Sequence, residues 1–70
     1  MTLTQAIAHL EELIATCKDE TDRVSYRTER MAYMDFRDGR PPVTTFNSWQ
    51  QGIYNTAFYT AMERYRVEGQ

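Results

Sequence analysis

Residues 38–51 read D-G-R-P-P-V-T-T-F-N-S-W-Q-Q and contain both a helix stop and a helix start. Gly39 suits the position just after a helix end, and the two prolines that follow cannot continue a helix. Three polar residues further along are candidate N-caps: Thr45, Asn47 and Ser48. Ser48 with Gln51 has the spacing of a capping box. This stretch predicts two helices joined by a proline elbow over residues 39–46.

The segment before the elbow is predicted to be helical over residues 20–38. Val24, Met31 and Met34 supply an apolar edge, and acidic residues at the start suit the positive end of the helix dipole. The alternative for residues 24–36 is a strand, because β-branched and aromatic residues lie close together at its start. We favour the helix.

The N-terminal segment has the most regular helical pattern. Its apolar residues recur at alternating spacings of four and three: Leu3, Ile7, Leu10, Ile14 and Cys17. Such a pattern is typical of an amphipathic helix with one apolar seam. Thr2 and Gln5 form a capping box at its start. The prediction is a helix over residues 3–18.

The third predicted helix, residues 48–67, is apolar over an unusually wide arc. At about 100° per residue the apolar positions cover roughly 220°, whereas contact with one partner helix needs only about 100°. A face this wide predicts contacts with two surfaces, one inside the protomer and one in a second copy. The predicted interface residues are Trp49, Ile53, Tyr54, Ala57, Phe58, Ala61, Met62 and Tyr65.

The size of the chain limits how it can be stabilised. Seventy residues make one small domain, residues 1–70, and such a chain buries only about 60% of its unfolded surface. Cys17 is the only cysteine, which excludes an intrachain disulfide and a cysteine-rich zinc site. Self-association is the remaining way to stabilise so small a domain. We therefore predict an all-α hairpin or bundle of two or three helices, completed by homo-oligomerisation.

Arginines and tyrosines recur along the second predicted helix. At about 100° per residue, four of the arginines fall within an arc of roughly 80°, with the tyrosines along one edge. Like charges at these spacings repel, so the arginines need acidic partners or an anionic ligand. One interpretation is an internal salt-bridge ladder with nearby carboxylates: Asp19, Asp22 and Glu29, or Glu11 and Glu12. The other is an anion-binding face made of Arg23, Tyr26, Arg27, Arg30, Tyr33 and Arg37.

No pattern in the chain is typical of an enzyme or of a metal site. His9 and Cys17 are too few soft ligands for a metal. Nothing in the pattern makes two carboxylates face each other as an acid/base pair, and no phosphate-binding or catalytic motif occurs. We expect no enzymatic activity, no metal and no cofactor.

Charge and hydropathy limit the classes of partner that the chain could bind. The net charge of −2 and pI of about 5.2 argue against nucleic-acid binding. No stretch approaches the roughly 18 apolar residues of a membrane span, and no signal peptide is visible. We expect a cytoplasmic protein without a membrane partner.

These features predict a non-enzymatic binding or inhibitor protein of bacterial or phage origin. It would act by contact with a larger host protein or complex, because Tyr, Trp, Met and Arg are enriched in interfaces. The alternative is an oligomer that sequesters a small phosphorylated ligand, a nucleotide or a cyclic nucleotide. In that case the arginines would neutralise phosphate and Tyr26 or Tyr33 would stack on the base.

Overall fold

The computed structural model describes residues 2–65 and contains three α-helices: α1 (Leu3–Thr16), α2 (Glu20–Arg37) and α3 (Ser48–Arg64). No strand occurs among these residues, so the prediction of an all-helical bundle is confirmed with three helices. The strand alternative is wrong, because residues 24–36 all lie inside α2. Residues 66 and 67, the predicted end of the third helix, lie outside the described residues.

The first helix begins with the predicted capping box. Thr2 Oγ1 accepts from Gln5 N at 3.1 Å, and Gln5 Oε1 accepts from Thr2 N at 2.9 Å. The helix ends at Thr16, two residues before the predicted end, because Cys17 already has an extended backbone. Arg23 Nη2 donates to the Cys17 carbonyl at 2.6 Å and so ties the end of α1 to the first turns of α2.

Two backbone hydrogen bonds close the end of α2. Gly39 has a φ of 72°, the left-handed conformation that glycine adopts at little cost. Its N–H donates to the Phe36 carbonyl at 3.2 Å, and the Arg40 N–H donates to the Asp35 carbonyl at 2.9 Å. This pair of bonds is a Schellman motif, and it turns Arg40 back over the last turn of α2.

The third helix starts at Ser48, the first residue of the predicted range, and its N-cap is one of the three candidate residues. Asn47 is the N-cap, and its side chain accepts from Gln50 N at 2.8 Å. The predicted capping box between Ser48 and Gln51 is therefore wrong. The Gln51 amide instead donates to the Val43 carbonyl at 2.8 Å, which holds the proline-containing connector against α3.

The second helix lies between the other two. Both α1 and α3 pack extensively on α2 and only slightly on each other. The Cα atoms span 37 × 26 × 16 Å, which is the flat shape of a single layer of helices. The buried apolar side chains between the helices are Leu3, Ala6, Ile7, Leu10, Ala32, Tyr33, Tyr54, Ala57 and Ala61.

None of the helices within residues 2–65 is long and apolar enough to cross a membrane. The layer instead leaves α1 and α3 at its two edges, each with one face away from α2. The surface between α1 and α2 and the edge formed by α3 both carry exposed side chains that do not pack in the core.

Candidate functional site

A groove of about 540 Å³ lies between α1 and α2, and we call it the arginine groove. Its charged lining residues are Glu11, Arg27, Arg30, Asp35 and Arg40. Its apolar lining residues are Ile14, Ala15, Met31 and Met34. The volume falls within the range of about 300–1,000 Å³ that is typical of sites for small molecules. The groove thus combines guanidinium groups with an apolar floor.

Three of the predicted binding arginines are paired within the chain. Arg23 forms an ion pair with Glu20 at 2.7 Å, one turn away on the same helix. Arg37 Nε donates to the neighbouring Asp38 carboxylate at 3.0 Å. This contact lowers the pKa of Asp38 and raises that of Arg37. These pairs are local to α2 and its end, and neither Arg23 nor Arg37 lines the groove.

Arg30 bridges α2 to α1. Its Nη2 lies 3.3 Å from Glu11 Oε2, the one contact in the predicted ladder that spans the two helices. Its Nε is buried and has no hydrogen-bond partner among residues 2–65. A guanidinium carries five N–H donors, so Arg30 retains hydrogen-bonding capacity inside the groove.

Arg27 is the least constrained of the predicted arginines. Its side chain is exposed, and it forms no ion pair with the residues that the structure describes. It lines the arginine groove next to Met31, which is 43% exposed. A full positive charge therefore stands at the edge of an apolar surface.

The tyrosines of the predicted anion-binding face lie elsewhere. Tyr33 is buried and packs edge-to-face on Tyr65, with ring centroids 5.8 Å apart. Burial, followed by the nearby Glu29 carboxylate, raises the pKa of Tyr33 to about 12. Tyr26 is partly buried against the core. Neither tyrosine lines the arginine groove.

A buried carboxylate connects the groove to the core. Asp35 is 6% exposed, and it accepts from the Tyr54 hydroxyl at 2.6 Å and from Arg40 Nε at 2.9 Å. Arg40 also forms an ion pair with Asp38 at 3.2 Å. Burial and the hydrogen bond to the Asp35 carboxylate raise the pKa of Tyr54. This network holds Arg40 at the groove, although Arg40 was not among the residues of the predicted anion-binding face.

The predicted interface residues on α3 divide into buried, exposed and half-buried groups. Tyr54, Ala57 and Ala61 are buried inside the chain, so they do not provide exposed contact surface. The opposite side of α3, which we call its outer face, carries Gly52 and Tyr59, which were not among the predicted interface residues, with Trp49 and Met62 at its two margins. Trp49 is 49% exposed, Tyr59 63% and Met62 53%. The remaining predicted positions are half-buried: Ile53, Phe58 and Tyr65.

Residues 2–65 therefore form a three-helix layer with an arginine-lined groove on one surface and exposed aromatic side chains along one edge. Within this described part of the chain, no cluster of three His, Cys, Asp or Glu side chains could hold a metal ion. Comparison of the chain with protein-family models, with curated proteins and with solved structures finds no match. The arginine groove and the outer face of α3 are the two surfaces on which a function can be proposed.

Proposed function

We propose that the chain is a non-enzymatic binding protein that acts by contact with a larger partner protein. In this proposal the arginine groove receives an acidic segment of the partner. The observation that carries the proposal is the position of Arg27, a charge without an ion-pair partner among residues 2–65, beside the apolar floor of the groove. An inhibitor would use the same contact to cover a functional surface of its partner.

The charge of the groove favours a carboxylate over a phosphate. Three arginines and the carboxylates of Glu11 and Asp35 line it, which leaves an excess of one positive charge (3 − 2 = 1). A partner Asp or Glu matches this excess. A phosphate group carries about −1.5 to −2, which is more negative charge than this excess neutralises.

The floor of the groove favours a partner segment that is also apolar. Met31 and Met34 have flexible side chains that adapt to the shape of an apolar partner, and Ile14 adds a further apolar contact surface. Met and Arg are both enriched in protein–protein interfaces. A short segment with one acidic residue and one large apolar residue would contact both parts of the groove.

Arg30 supports the same assignment. Its ion pair with Glu11 is 3.3 Å long, and the two side chains are 34% and 53% exposed. Exposed pairs of this kind contribute only about 0–1 kcal/mol, so a partner carboxylate competes with Glu11 at little cost.

Sequestration of a nucleotide or cyclic nucleotide is the second candidate. The groove volume of about 540 Å³ and the exposed guanidinium of Arg27 support it. We place it second because Tyr26 and Tyr33, the residues expected to stack on a base, are not among the groove residues.

We further propose that the chain works as a homo-oligomer in the cytoplasm of a bacterium, whether its origin is bacterial or phage. The exposed Trp49, Tyr59 and Met62 support self-association, because aromatic and methionine side chains are enriched in protein–protein interfaces. The free thiol of Cys17 supports a reducing compartment.

Selection of a displayed random peptide library on the immobilised full chain tests the function. We expect enriched peptides to combine Asp or Glu with Leu, Phe or Met. Arg27→Glu should weaken their binding at least about tenfold, because it replaces a charge-assisted contact with repulsion. Lys18→Glu, a charge reversal outside the groove, is the control.

Enrichment without acidic residues, or equal binding by Arg27→Glu and the wild type, would contradict the proposal. Circular dichroism of both variants checks that they are folded. A parallel thermal-shift series with nucleotides and cyclic dinucleotides tests the second candidate, because a ligand that binds only the folded state raises the melting temperature.

A further inference from the structure

We infer that the outer face of α3 is the self-association surface, with α3 of a second copy lying antiparallel on it and Tyr59 of each copy packing over Gly52 of the other. This inference rests on the homo-oligomer proposed above and names its interface. We expect a second copy of this chain, and not another protein, to cover this face, for one steric and one electrostatic reason.

The steric reason is the absence of a side chain at Gly52. It lies inside α3, where glycine is less favourable than alanine. A Cβ built at Gly52 would meet no atom within 4 Å, so packing inside the chain does not require a glycine. A missing side chain on an exposed helix face leaves the backbone open to close approach by a second chain.

Tyr59 of a second copy can cover the exposed backbone at Gly52. It is 63% exposed and lies seven residues after Gly52, which places the two only about 20° apart around the helix. In an antiparallel pair of helices with a two-fold axis midway between these residues, Gly52 of each copy faces Tyr59 of the other. The two contacts form together, as a closed symmetric dimer requires.

The rest of the fold leaves this face accessible. On the helical projection the line through Gly52 and Tyr59 lies roughly 180° from the buried residues Tyr54, Ala57 and Ala61, which point at the other helices. Gly52 and Tyr59 are both exposed, and Pro42 of the connector borders this face beside Tyr59 and Met62.

Electrostatics favour the antiparallel orientation. Only Glu63 and Arg64 are charged among the 17 residues of α3. In the register that pairs Gly52 with Tyr59, Glu63 of the second copy lies beside Ser48, at the positive N-terminal end of α3. A parallel pair would instead place the like ends of the two helix dipoles together.

The size of the contact predicts weak association. A helix of 17 residues is about 25 Å long, and one such face gives an interface at the small end of specific interfaces, below about 1,200 Å² in total. We therefore expect a dimer with a dissociation constant in the micromolar range.

Sedimentation equilibrium of the full chain over a range of concentrations tests the interface. The wild type should dimerise at tens to hundreds of micromolar. Gly52→Ala places a methyl group where the Tyr59 ring packs, and should weaken the dimer at least about tenfold. The same variant should raise the helix content and melting temperature of the monomer, so loss of folding cannot explain the result.

Tyr59→Ala should weaken the dimer as Gly52→Ala does, and Glu12→Ala, an exposed change on α1, should not. Full dimerisation of Gly52→Ala or of Tyr59→Ala would overturn this interface while leaving the homo-oligomer proposal standing. A wild type that stays monomeric at hundreds of micromolar would overturn both.

Discussion

Replacing Tyr54 with phenylalanine removes one hydroxyl group and leaves the ring in place. That hydroxyl donates to Asp35 Oδ2 at 2.6 Å, and Tyr54 has no exposed surface. A hydrogen bond to a charged group contributes about 1.5–3 kcal/mol, and a buried acceptor that loses its donor adds a desolvation cost. Arg40 Nε remains on the other carboxylate oxygen of Asp35. We therefore expect Tyr54→Phe to lower the free energy of unfolding by about 2 kcal/mol.

Urea unfolding followed by far-ultraviolet circular dichroism measures this loss, and thermal unfolding gives a second readout. For a domain of this size, about 2 kcal/mol corresponds to a fall in melting temperature of roughly 8–16 °C. Tyr59→Phe is the matched control. It removes the same atom from a side chain that is 63% exposed, and should change the free energy by less than about 0.5 kcal/mol.

A double-mutant cycle with Asp35→Ala separates the hydrogen bond from other effects of the hydroxyl. The cost of Tyr54→Phe should shrink by about 1–2 kcal/mol once the carboxylate is absent. If Tyr54→Phe is as stable as the wild type, or if its cost is unchanged in the Asp35→Ala background, the hydroxyl does not stabilise the fold through Asp35 and the reasoning is refuted.

Two further predictions concern single helices. Asn47→Ala should lower the free energy of unfolding by about 1 kcal/mol in urea titrations, because the N-cap of α3 loses the side-chain acceptor for Gln50 N. Ser48→Ala should lower it by less. Equal losses for the two variants would show that Asn47 is not the N-cap. Burial raises the pKa of Glu29 above its ordinary value of 4.5, so the fold favours the protonated carboxyl. The stability that Glu29 contributes is therefore fully present below pH 4.5 and is lost as the pH rises through the pKa of the folded state. Thermal unfolding should therefore find Glu29→Gln more stable than the wild type near neutral pH and equal to it in acid; a difference that does not depend on pH would contradict this.

The helices could be predicted because their signals are local. The capping box of Thr2 and Gln5 and the seam from Leu3 to Ile14 involve residues within a few turns of one another. The end of α2 follows from Gly39, since only a glycine adopts its left-handed conformation at little cost. The same signal could have located Arg40, because a Schellman motif turns the next residue back over the helix.

The partners of the arginines could not be predicted in full. Several carboxylates were within reach of Arg30, and the choice of Glu11 depends on how α2 is rotated against α1. Arg23 instead pairs with Glu20, and Arg37 with Asp38, neither of which was among the expected partners. These pairs depend on side-chain conformations that the spacing of residues along the chain does not determine.

The buried side of α3 was also hidden from the sequence. Its apolar residues cover roughly 220° of the helix, so periodicity does not show which part of this wide arc meets α2. The structure buries Tyr54, Ala57 and Ala61 there and leaves Trp49 and Met62 exposed. The contact between Asp35 and Tyr54 joins residues 19 apart on different helices, and no local pattern predicts such a pair.

Methionine methyl resonances give the most direct test of binding at the arginine groove. Two of the four methionines, Met31 and Met34, line the groove, and Met62 lies on the outer face of α3. The full chain, labelled at its methionine methyl groups, is titrated with a peptide from the selection that contains both Glu and Leu. Binding in the groove predicts that Met31 and Met34 shift, that Met62 does not, and that Arg27→Glu abolishes the shifts. Shifts confined to Met62, or none at Met31 and Met34 when the peptide is bound, would contradict it.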